Sequence, residues 1–111
     1  MPIVQLPLGE ISDWESFHDV FQRALGFPDF YGRNMDAWID CLTSADERDG
    51  MIASELVAGE GDVLVLELLE AKDFSERCPE QYDALIECAA FVNWRRIEIG
   101  ERAILALSAN F

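Results

Sequence analysis

The chain has 111 residues, half of them hydrophobic, with 22 Asp and Glu against 8 Lys and Arg and a formal charge of −14. That length suits one core and is too short to split, so a single domain over residues 1–111 is expected and disorder is set aside as the default. So negative a balance, with a pI near 4.1, disfavours nucleic acid and anionic membranes, which repel it; it suits a basic protein partner, while composition alone is met as well by acidity that only confers solubility.

The first predicted element is a strand over Ile3–Leu6, β-branched at its start and closed by Pro7 and Gly9. Ser12-Asp13-Trp14-Glu15 reads as a capping box, with Ser12 as N-cap and Glu15 three residues on. Trp14, Phe17, Phe21, Ala24 and Leu25 then recur at helical spacing, and Gly26 supplies the stop. His18, the only histidine, reads as a surface or boundary residue of that helix rather than a ligand or base. Residues 44–61 are irregular and acidic, with at most a turn of helix in Met51–Val57; a connection this long is either functional or mobile.

Val63–Leu69 is almost continuously apolar, the pattern of a strand buried on both faces of a parallel sheet, and its Glu67 is expected at the strand end facing solvent. Glu70–Arg77 predicts a short helix. Pro79 then opens a longer one that runs to about Ile97 and ends at Gly100. Tyr82, Leu85, Ile86, Ala89 and Val92 form its main stripe, while Phe91 and Trp94 on other faces imply a deeply embedded helix. Arg95 and Arg96 complement its C-terminal dipole, and Ala103–Leu107 is the last strand. Strands separated by helices require crossovers, hence an α/β fold with a parallel sheet.

Three cysteines, Cys41, Cys78 and Cys88, cannot all pair and lack metal-ligand spacing; Cys41 and Cys88 fit reduced core positions. Met1-Pro2-Ile3-Val4 opens a strand instead of a basic segment followed by a long apolar one, so a cytoplasmic location is expected. No apolar run is long enough to span a bilayer. Nothing calls for a cofactor or metal: there is no phosphate-cradling glycine loop and no Ser/His/Asp arrangement.

Residues 28–44 are the most informative stretch. Asn34 is a good N-cap, Asp36 falls in the first turn where the helix dipole favours an acid, and Asp40 follows at i+4 on the same face. Ile39 and Thr43 lie on or beside that acidic face, while Met35, Trp38 and Leu42 mark an apolar stripe for burial. Of the adjacent aromatics Phe30 and Tyr31, at least one is expected in the core, and Trp38 is expected there.

Through Tyr31-Gly32, Asn34, Asp36-Ala37 and Asp40-Cys41-Leu42-Thr43 this segment resembles the barstar family, intracellular protein inhibitors of barnase-type ribonucleases. The resemblance extends, more weakly, over the whole chain as a shared order of elements. It implies a small three-stranded parallel sheet packed with about four helices. It also implies that the helix and the loop before it plug a nuclease active site, acidic side chains standing in for substrate phosphates. Asp40 matches the family's principal acidic contact and Asp36 its acidic neighbour. Phe30 falls where the family often has Tyr, a match that makes it the expected exposed contact, and Asn34 and Thr43 match directly. Ser44 replaces a Gly of the best-known member and Ile39 a Trp, so an aromatic contact is missing. A further acidic contact of that member, from the last helix, aligns near Arg96, with Glu98 as a partial replacement.

The resemblance therefore implies an inhibitor, monomeric when free, of a basic extracellular-type ribonuclease or a related toxin nuclease. The same scaffold serving another basic partner is the alternative. An enzyme using Asp36 and Asp40 as metal ligands is the weakest reading, since two carboxylates from one helix make a poor site without a third ligand.

Overall fold

The structure, a computed structural model, describes residues 1–110. Among them are three strands and four α-helices in the order β1 (Ile3–Pro7), α1 (Trp14–Leu25), α2 (Met35–Thr43), β2 (Leu64–Leu69), α3 (Ala71–Arg77), α4 (Pro79–Glu98) and β3 (Leu105–Ala109). Short 3-10 turns occupy Leu8–Glu10 and Ser54–Leu56. The strands form one parallel sheet in the order β1-β2-β3, with Ile3 opposite Val65 and Val65 opposite Ala106. This is the α/β architecture that the element order and the resemblance imply. No helix among the described residues is long and apolar enough to cross a membrane.

The sheet buries one face only. Val4, Leu6, Leu64, Leu66, Leu68 and Leu105 point into the core, whereas Val65, Glu67 and Leu69 alternate with them and stay half-exposed. The expectation that β2 is buried on both faces is thereby corrected: a continuous apolar run hides an alternation in exposure, because β2 spends its off-face leucine and valine on an uncovered surface. Glu67 is also not at the strand end. It sits mid-strand on the open face, opposite Gln5 and Ser108, where Gln5 Nε2 donates to its Oε1 at 3.2 Å.

The helices pack on the buried face, α1 against β1 and α4 against β3, with α2 lying on α4. Phe17, Phe21, Leu25, Trp38, Leu42 and Leu85 are wholly buried there, each such side chain stabilising the fold by about 1.5–3 kcal/mol. Helix α1 begins one residue later than the capping-box reading: Asp13, not Ser12, is the N-cap, and it pairs with Ser16. The Asp13 carboxylate accepts from Ser16 N at 2.8 Å while Ser16 Oγ accepts from Asp13 N at 3.0 Å, leaving Glu15 free of the box. Asp is as good a cap as Ser, and Ser16 serves in the Glu position. At the other end Gly26 takes φ +70°, and a Cβ there would also meet the Ala53 Cβ at 2.9 Å.

Ala53 belongs to the long acidic connection, which is more tightly held than its composition suggests. Ala53 N donates to Leu25 O at 2.8 Å, Ala58 N donates to Ala45 O at 2.9 Å, and Ile52 and Ala58 are buried. Helix α4 buries Gln81, Leu85, Ala89, Val92 and Arg96. The deep embedding expected from Phe91 and Trp94 is not found. Both are exposed, with Ile86 and Ile97, because only one stripe of α4 meets the sheet and α2. The last strand starts two residues later than expected. The segment before it is committed to α4, since Asn93 Oδ1 accepts from Ile104 N and Leu105 N, both at 2.9 Å.

Candidate functional site

Helix α2 starts at Asn34, whose Oδ1 accepts from Ala37 N at 2.8 Å while its Nδ2 donates to Gly32 O at 3.3 Å. Asn34 is thus a partner-binding candidate whose side chain is engaged in capping. Trp38, Cys41 and Leu42 bury one stripe of α2, and Met35 and Ile39 pack against the same core half-buried. Asp36 and Asp40 are left on the exposed side. Asp40 faces α4, its Oδ1 accepting from Arg95 Nη1 at 2.9 Å. Burial, and then the charges of Glu87 and Asp36, raise the pKa of the Cys88 thiol. Thr43 Oγ1 donates back to Ile39 O at 2.7 Å, so that hydroxyl is spent within the helix. Ser44 is the half-buried C-cap.

Asp40 stands on a ridge between two concavities. One, of about 260 Å³, is lined by Phe30, Gly32, Ala37, Cys41, Ser44 and Met51 beside it. The other, of about 300 Å³, is lined by Thr43, Ser44, Asp46, Arg95 and Ile99. Phe30 is 76% exposed at the rim of the first, as its match to the family position implies. Tyr31, its neighbour, turns inward to 5%. Cys41 at the floor has its thiol pushed up to about 11 by burial and by the Asp40 charge, which makes it a poor nucleophile.

The loop that presents Phe30 is stapled to α1. Arg33, at φ +54°, holds a left-handed conformation that costs a non-glycine residue about 1–3 kcal/mol. Three bonds offset it: Arg33 donates to Asp19 Oδ1 at 2.7 Å, Glu15 O at 3.0 Å and Gln22 Oε1 at 3.0 Å. Beneath it His18 Nδ1 and Tyr31 Oη share a 2.6 Å hydrogen bond. His18 is therefore buried and not the surface or boundary residue expected; on a helix flanked by Phe17 and Asp19, the partner that makes its burial tolerable comes from a distant loop.

Burial lowers the His18 pKa, the Arg33 charge lowers it further, and Asp19 opposes them. The folded chain then binds this proton less readily than the unfolded one. Its stabilising effect is complete above about pH 6.5 and is lost as pH falls from there toward the folded value. Denaturant unfolding between about pH 7 and 5 is expected to show that loss in the wild type and a flatter profile in His18→Gln. Equal slopes would assign the loss to carboxylates.

At the far end of α2, Arg96 is only 6% exposed. It donates to Thr43 O at 2.7 Å, to Arg102 O at 2.8 Å, and with both terminal nitrogens to Asp46 at 3.1 and 3.2 Å. The position aligned with a family contact is hence internal, tying α2 to α4, while Glu98 is exposed. The residue that α4 presents beside Asp40 is Arg95, which sequence reasoning assigned only to the helix dipole.

The family model described as Barstar (barnase inhibitor) matches residues 1–106. The chain belongs to the barstar family. It is also similar to YrdF of Bacillus subtilis (strain 168), provisionally named a ribonuclease inhibitor, with 59% identity over 29 residues. That match spans 26% of this barstar-family chain and 32% of the relative.

Proposed function

We propose that this chain inhibits a basic ribonuclease by seating α2 and the loop before it in the nuclease active site, and that it is not itself an enzyme. Family membership supports the class of function. The observation that carries the surface is Asp40: exposed, on a ridge between two grooves, on a helix pinned at both ends before any partner arrives. A surface ordered in advance loses less entropy on binding. Asp40 and Asp36 take the partner's basic groups, Phe30 supplies an exposed aromatic, and Ile39, Thr43 and Ser44 shape the ground between them. Asn34 contributes by fixing the start of the helix.

The test uses the immobilised wild-type chain and Asp40→Ala as baits for basic proteins from the source organism, with RNA cleavage assayed on what is retained. The wild type should capture and block a ribonuclease. Asp40→Ala should bind it at least ~2 kcal/mol more weakly, since the partner's bases lose their counter-charge on desolvation. Thermal melts should coincide, because Ala is the better helix former and the like charge at Asp36 is relieved. Equal affinities would remove α2 from the inhibitory surface. A retained basic protein without nuclease activity would favour the same scaffold serving another partner.

A further inference from the structure

Resting on that reading, we infer that Arg95 is a specificity-determining residue: it selects nucleases that place an acidic side chain beside the basic cluster that receives Asp40.

The chain carries few cations, and one of them stands at the centre of its candidate acidic surface. Arg95 Nη1 donates to Asp40 Oδ1 at 2.9 Å, and the two side chains are 45% and 68% exposed. Both line the same groove with Ile99. An exposed pair of this kind holds together weakly in water, so it does not lock Asp40 away from a partner. Among the described residues Arg95 makes one side-chain hydrogen bond, out of the five N–H donors a guanidinium carries. The Arg96–Asp46 pair alongside is already closed on itself, and Arg96 also draws Glu101 to 3.9 Å. At 45% exposure the remaining Arg95 donors are open to water in the free chain.

A docked partner removes that water. A site built to bind phosphate offers donors and positive charge, so it meets Asp40 well and Arg95 badly. Any guanidinium reaching Asp40 must share one carboxylate with Arg95, and like charges brought together at a dry contact are strongly unfavourable. A carboxylate on the partner at this point reverses the effect, accepting the unused Arg95 donors in a planar, charge-assisted contact. Selectivity then comes from repulsion of wrong partners as well as attraction of the right one.

The probe is barnase, the nuclease named for this family, titrated calorimetrically against wild type, Arg95→Gln and Arg95→Glu. Arg95→Glu should bind at least tenfold tighter than wild type and Arg95→Gln should fall between, each titrated at a temperature where its melt shows it folded. In the reciprocal arm, barnase variants each carrying one basic active-site residue changed to Glu are titrated. At least one should bind wild type tenfold better than unmodified barnase does, and lose that gain with Arg95→Glu. If Arg95→Glu binds barnase no better than wild type, including the case where neither binds, Arg95 is not what selects and the inference is overturned. Weaker binding by Arg95→Glu overturns it too, marking Arg95 as a support for Asp40. Adding Asp40→Ala to the Arg95→Glu chain separates the two levels. Loss of the gained affinity keeps the α2 surface in place, whereas affinity unchanged by Asp40→Ala would sink the functional reading itself.

Discussion

Arg96→Ala is expected to destabilise the fold by roughly 2–4 kcal/mol, while Arg95→Ala, one residue away, should change it by less than ~1 kcal/mol. The two arginines differ only in where α4 turns them. Arg96 is 7% exposed in its side chain and bonds to two backbone carbonyls and to both oxygens of Asp46. Truncating it strands the carbonyls of Thr43 and Arg102 near the α2–α4 junction and leaves Asp46 without its counter-ion. Asp46 retains some contact with water, which keeps the cost below that of a fully buried charge. Arg96→Lys should rescue little, because an ammonium cannot reproduce the planar fork that reaches all these acceptors. Urea unfolding of the three variants decides it. An Arg96→Ala chain within ~0.5 kcal/mol of wild type would show that water replaces these bonds freely.

This contrast marks what the sequence disclosed and what it withheld. Local rules suffice for Asn34 as a cap, for Gly26 as a helix stop and for the burial of Trp38 and Leu42, since each depends on neighbours within a few positions. Which of Phe30 and Tyr31 turns inward is not a local matter: the family match points to Phe30 as the exposed one, and it is. The errors arise where a residue's fate is set by a distant one. His18 is buried because Tyr31 waits for it, and Glu67 is tolerated mid-strand because Gln5 lies opposite. Periodicity on α4 could not show that Phe91 and Trp94 have nothing packed over them. The sites of Arg95 and Arg96 were equally illegible, as a helical period assigns them adjacent faces but not which of those faces meets α2. Knowing the family did not help there: the position it singled out is occupied by an inward arginine, and the outward one carries the opposite charge to the contact expected.

Trp38→Ala should cost roughly 3–5 kcal/mol, the largest loss expected from any single truncation in α2. Trp38 is wholly buried, meets the Phe21 ring edge-on at a centroid distance of 5.8 Å, and lies one residue before Ile39 and two before Asp40. Its removal opens a cavity where the indole meets Phe21 of α1, too far inside for the exposed face to compensate. One feature tempers the value of the indole itself. Trp38 Nε1 is buried with no hydrogen-bond partner among the described residues, a group whose desolvation costs about 1–3 kcal/mol. Trp38→Phe keeps most of the volume and deletes that donor, so it should lose less than ~1.5 kcal/mol. Denaturant unfolding gives both values. Binding of the captured nuclease, measured where each variant is at least nine-tenths folded by the ~1.4 kcal/mol-per-decade relation, should then be close to wild type for Trp38→Phe. A Trp38→Phe chain that is folded yet no longer binds would show that the indole shapes the Asp40 surface directly, beyond holding the helix in place.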